Sequence, residues 1–147
     1  MRAPVERAER VSLSDSPKGA PDHKHELEEG AEFAPRFDAN GLIVCVTIDS
    51  ASREVLMVAY MNRLALDKTI ETGDAHYWSR SRQSLWRKGD TSGQVQRVVS
   101  LGVDCDQDAL LLEVEPGGDG KACHTGRKSC FYRRLERGDG RRLVFLR

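Results

Sequence analysis

Apolar positions along this chain come in short runs divided by polar links, a pattern of half-buried strands more than of packed helices. Residues 42–48 and 55–60 are apolar and rich in β-branched side chains, and the polar link Asp49-Ser50-Ala51-Ser52-Arg53 between them predicts a hairpin. Asn62 then stands where a helix needs a cap; Leu66 and Ile70 share the expected apolar face, and Gly73 stops the helix. Ala75-His76-Tyr77-Trp78 reads as a short aromatic strand. Strand character returns over 95–103, and 109–114 reads as a buried strand. Glycines 117, 118 and 120 form a loop back to Cys123, and a last strand over 143–146 follows the Gly138-Asp139-Gly140 turn. The pattern predicts a mainly β fold with α+β character, a mostly antiparallel body carrying one or two helices.

Residues 1–36 break that pattern. Pro4, Pro17, Gly19, Pro21, Gly30 and Pro35 punctuate a charged segment with few apolar residues, so a mobile N-terminal extension is expected, followed by a single domain over 37–147. Phe33 and Phe37 mark where the extension first docks on the body. His23 and His25, beside Lys24, read as solvated tail residues.

Composition narrows the function. The chain has 147 residues, 39% of them hydrophobic, which suffices for a core without disulfide support. Lys and Arg together number 23, and so do Asp and Glu, so no net field draws the chain to nucleic acid or a membrane. Residues 133–147 carry six arginines against two acids, which suits a solvated face or subunit contact as well as phosphate. No apolar run approaches a bilayer span, and the start lacks the apolar stretch of a secretory signal. The expected compartment is the cytoplasm, where thiols stay reduced and four cysteines are ligands or buried residues. Cys45 lies inside a strand run and reads as a core thiol.

Two stretches carry the chemistry. Residues 79–93 are dense in hydrogen-bond donors, with Arg80, Arg82, Lys88, Thr91 and Ser92 suited to phosphoryl oxygens and Trp86 to the core or to stacking on a base. The second runs from Asp104-Cys105-Asp106-Gln107-Asp108 to Cys123-His124-Thr125-Gly126 and Ser129-Cys130-Phe131, with cysteines 18 and then 7 positions apart. Thiolates suit a zinc-like ion and carboxylates suit magnesium or calcium, so two metals are expected together. A straight strand over 104–108 covers about 13 Å, too far for Asp104 and Asp108 to grip one ion directly. A bend, a bridging water or a second subunit must intervene. Three thiolates leave one position of a tetrahedral zinc open, where bound water ionises near neutral pH. His124 suits proton transfer better than ligation, because it directly follows Cys123.

Together with Val55-Leu56-Met57-Val58-Ala59-Tyr60-Met61-Asn62, Ser79-Arg80-Ser81-Arg82 and 85–93, these motifs resemble the phosphoribosyl-AMP cyclohydrolase family over about residues 40–132. The resemblance implies hydrolysis of the N1–C6 bond of 1-(5-phosphoribosyl)-AMP in histidine biosynthesis. It also implies zinc on Cys105, Cys123 and Cys130, magnesium on Asp104, Asp106 and Asp108, and an intertwined homodimer whose chains share each zinc site. Breaking N1–C6 needs a proton on the leaving nitrogen, for which His124, then His76, are the candidate donors, and no pyrophosphohydrolase domain fits beyond residue 132. Two rivals remain at this point: a zinc-stapled nucleic-acid-binding module using Arg80 to Lys88, and a nucleotide deaminase, whose Pro-Cys-x-x-Cys segment is missing.

Overall fold

In the computed structural model, which describes residues 23–146, the elements run α1 His23–Glu29, β1 Ile43–Asp49, β2 Val55–Met61, α2 Arg63–Thr72, β3 His76–Ser79, β4 Ser84–Arg87, β5 Gln96–Val103, β6 Ala109–Pro116, β7 Arg133–Leu135 and β8 Leu143–Phe145. The fold is mixed α+β, with mostly antiparallel pairing and two helices. Four strands form one sheet in the order β2-β1-β6-β5, while β3-β4 and β7-β8 form separate ribbons. β1 and β2 make the expected hairpin, with Asp49 accepting from the Ala51 and Ser52 N–H groups and Arg53 taking a left-handed φ of 64°.

β1 also pairs parallel with β6, which no local signal announces, because a parallel neighbour is set by packing across the 59 residues between Asp49 and Ala109 and not by a turn. β6 alternates: Leu110, Leu112 and Val114 are buried, whereas Leu111 is 39% exposed. The strand is therefore buried on one face only, and not wholly buried as its unbroken apolar run suggests.

α2 has the predicted ends. Asn62 Oδ1 accepts from the Ala65 N–H at 2.9 Å, and Gly73, at φ 74°, donates its N–H to Thr69 O. Its inner face is Ala65, Leu66 and Thr69; Ile70, expected beside Leu66, is 56% exposed because it lies one residue past that stripe. The helix covers β2 and β3, and its side chains join Ile43, Cys45, Met57, Tyr77 and Leu112 in the core. Burial pushes the Cys45 thiol up to about 12, as befits a core thiol.

A buried polar chain crosses this core: the Tyr77 hydroxyl donates to Gln96 Oε1 at 2.7 Å and meets Thr47 Oγ1 at 2.8 Å. Tyr77→Phe would leave both oxygens short of a partner in a dry site. The expected loss is about 1–3 kcal/mol, read as a lower urea midpoint with unchanged slope; an unshifted midpoint would show the network to be dispensable.

Of the extension expected over 1–36, residues 1–22 lie outside the described residues. The remainder contains α1, which the sequence does not announce because the helix buries none of its residues and so has no apolar period. Phe37 packs on the core, and Phe33 is 44% exposed. Among the described residues no helix is long and apolar enough to cross a membrane.

Candidate active site

The loop after β6 brings Cys130 back to Cys123 through its own backbone. Ala122 N–H donates to Lys128 O, Cys123 N–H to Arg127 O, and Gly126 N–H to Cys123 O, each at 3.0 Å. The far end is tied to β2, where the Cys130 N–H donates to Leu56 O and Ser129 Oγ to Val55 O, both at 2.7 Å. Lys128 Nζ adds ion pairs to Asp49 at 3.2 Å and Glu54 at 3.1 Å. The cysteine loop is thus fastened to the β1-β2 turn.

Asp49 is the buried end of that fastening. The Ser52 N–H draws its carboxyl below the ordinary carboxylate value, burial pushes it up, and the Ala51 N–H and Lys128 help draw it down. A depressed carboxyl stabilises the fold above its unfolded pKa, and that stabilisation is lost as pH falls through the folded value. Asp49→Asn should therefore lower the urea midpoint at pH 7 and shrink the further fall seen below about pH 4. Equal midpoints for the two proteins at both pH values would contradict this.

Cys123 and Cys130 are unequal thiols. Burial pushes the Cys123 thiol up, but the Thr125 hydroxyl, donating at 3.0 Å, and then the Thr125 N–H, Cys130 and Arg127 outweigh it, so it ionises below the ordinary thiol value. Burial, and next the charge of Cys123, push Cys130 up to about 11. A readily formed thiolate beside a second thiol suits a soft cation.

Both line a cleft of about 590 Å³ with His124, Arg82, Trp86, Lys88, Thr91 and Ser92. Gly89, at φ 92°, makes the turn that forms one wall; a Cβ there would lie 2.3 Å from the Val95 nitrogen. Lys88 is held between Ala122 O, which accepts from Nζ at 2.7 Å, and the Trp86 ring. Burial draws its pKa down while Cys130 and Cys123 draw it up. Arg80 stands over the Tyr60 ring and lines an adjoining cavity of about 490 Å³ that shares Arg82 and Trp86. Gln94 and Lys121 also line the cleft; the place of Lys121 two residues before Cys123 was the available clue. His76 is buried in β3 with Nδ1 2.8 Å from Asp74 O, and it is not part of the cleft wall.

The acidic segment bends, the first of the three ways around its length. Gln107 N–H donates to Asp104 O, and Asp104 Oδ1 accepts from the Asp108 and Ala109 N–H groups. The turn gathers the carboxylates of Asp104, Asp106 and Asp108 so that one oxygen of each lies within 4.8 Å of the others. Burial pushes Asp104 up, yet the Ala109 N–H, Asp108 and Asp106 leave it lowered. Asp106 and then Asp104 push Asp108 up. Crowded carboxylates of this kind fit a hard divalent cation.

Cys105 stands apart from the other two site cysteines. It is exposed on the acidic turn, and among the described residues the three aspartates form the one cluster of three or more possible ligands. A three-thiolate set does not assemble within one chain.

A family model described as phosphoribosyl-AMP cyclohydrolase matches residues 57–132, which contain both cysteine motifs and the acidic turn. A protein of Chelativorans sp. (strain BNC1) named phosphoribosyl-AMP cyclohydrolase is 61% identical over 121 residues, 82% of this chain and 87% of its own. Its namesake in Bradyrhizobium diazoefficiens is 62% identical over 125 residues, 84% and 88% of the two chains. That of Rhodopseudomonas palustris is 59% identical over 129 residues, 88% and 85%. With half the chain inside the family model and most of it aligned to these relatives, the chain belongs to the phosphoribosyl-AMP cyclohydrolase family.

Proposed function

We propose that this chain opens the adenine ring of 1-(5-phosphoribosyl)-AMP by hydrolysing its N1–C6 bond, yielding the formimino aminoimidazole carboxamide ribotide in L-histidine biosynthesis. The observation that carries this reading is the cleft itself: in a chain of this family, two thiols and a histidine face arginine, lysine and hydroxyl groups. Alkylation at N1 leaves the purine cationic and C6 electrophilic. Hydrolysis adds hydroxyl to C6 and a proton to N1 as the bond between them breaks.

Cys123 and Cys130 would hold zinc with Cys105 of a second chain, and Asp104, Asp106 and Asp108 would hold magnesium. Zinc, when bound, supplies Lewis acidity and a nucleophile derived from water at neutral pH. The residues of the chain supply the rest. His124, exposed on the cleft wall, delivers the proton to N1. Arg82, Lys88, Thr91 and Ser92, with Arg80 next door, bind the two phosphates, and Trp86 packs against the base. His76 keeps its hydrogen bond to the Asp74 carbonyl and supports the β3-β4 hairpin.

The homodimer gains support from the outer face of the main sheet. Val58, Val46, Leu111 and Gly102 lie in one row across all four strands, with Val58 44% and Leu111 39% exposed. A second copy would cover that row. Reduced thiols suit a cytoplasmic enzyme. The nucleic-acid module and the deaminase draw no support from a family match that spans both metal motifs.

Removal of zinc with a chelator is expected to abolish the ultraviolet change on phosphoribosyl-AMP, and zinc, not magnesium alone, should restore it. Undiminished turnover by zinc-free protein would end the proposal.

A further inference from the structure

Gln107 lies between two of the three clustered aspartates, yet it is 4% exposed and its φ is 58°. That left-handed backbone disfavours a residue with a Cβ and persists only where surroundings hold it. The surroundings come from residues 27–36, more than seventy positions earlier. Gln107 Oε1 accepts from the Ala34 N–H at 2.8 Å, and Nε2 donates to Leu27 O and Glu32 O, each at 3.1 Å. The Gln107 carbonyl accepts from the Arg36 N–H at 2.7 Å. The amide has one workable orientation, because a flip would set oxygen against two carbonyls and NH2 against an N–H.

We infer that Gln107 is a positioning residue, clasped by residues 27–36, that holds Asp104, Asp106 and Asp108 at cation-binding spacing. This rests on the reading of those acids as a magnesium site. Without a cation, three clustered carboxylates repel one another. Within the turn, Asp104 Oδ1 is fixed by two N–H groups, but its two companions need the turn's shape to stay near it. The clasp supplies that shape before the cation arrives, so less ordering is left for binding to accomplish. The clasping segment lies before the residues 57–132 that the family model matches, but within the stretch aligned to the Rhodopseudomonas palustris relative, which covers 88% of the chain.

The test is calorimetric titration of magnesium into full-length zinc-loaded protein, with Asp108→Asn as the reference for a broken site. Gln107→Ala removes the clasp from one side. Ala34→Pro removes the N–H donor from the other, at a residue whose backbone already precedes Pro35. Gln107→Ala, which removes all the side-chain bonds of the clasp, should weaken magnesium binding about tenfold and Ala34→Pro, which removes one of them, by less. The double variant should be no weaker than Gln107→Ala, because the Ala34 N–H bonds to the side chain already lost. Unchanged magnesium affinity in the single variants, even with a lowered thermal midpoint, would reduce Gln107 to a structural role and overturn the inference. Additive losses would also overturn it. A wild-type titration no tighter than that of Asp108→Asn would overturn the magnesium site, and the clasp with it.

Discussion

Chains carrying Cys105→Ser and chains carrying Cys123→Ser are each expected to be inactive, and to recover activity when unfolded and refolded together with zinc. The expectation follows from the separation of the thiols. Cys123 and Cys130 are neighbours on one loop, whereas Cys105 sits on the acidic turn and joins no ligand cluster with them. If each zinc takes Cys105 from one chain and the loop pair from its partner, a mixed dimer contains one site with both substitutions and one with neither. Random pairing makes half the dimers mixed, so about a quarter of all sites are restored. Ligands drawn from a single chain would leave every site with a defect, and mixing would then restore nothing. Zinc content gives a second reading, since intact sites alone should retain the metal against a weak chelator.

His124→Ala is expected to lower kcat about 100- to 10,000-fold, about 3–5 kcal/mol of barrier, while zinc content and KM change little. The side chain stands on the wall of the thiol-lined cleft but makes no part of the loop's internal hydrogen bonding, so its removal should spare the fold. Loss of the proton donor should also remove one limb of the pH profile of kcat. A fall in rate accompanied by loss of zinc would make His124 a ligand. A near-normal rate would return the proton-donor role to another group.

How much of this was legible in the sequence depended on how local each cause was. Asn62 and Gly73 end α2 through contacts within one turn, and the β1-β2 hairpin follows from its polar link, so both were readable. The β1-β6 parallel pairing was not, because its register comes from packing between distant strands. Ile70 was misplaced since an apolar residue one step from the buried stripe looks the same in sequence. The donor-rich segment 79–93 resolved into β4 and the Gly89 turn, which together put Trp86 and Lys88 beside Cys123 and Cys130. Motif spacing brought the acids and thiols to notice, and the length of a straight strand left a bend, a bridging water or a second subunit open, of which the structure shows the bend. Gln107 escaped notice because everything that fixes it lies in a segment whose composition reads as tail.

The most direct test of the central claim is the mass of the product formed from phosphoribosyl-AMP by zinc- and magnesium-loaded protein. Ring opening predicts substrate plus one water, with nothing released, and loss of this product in Cys123→Ser. Release of ammonia with exchange of the amino group for oxygen would make the chain a deaminase, and unchanged substrate would leave it without the proposed activity.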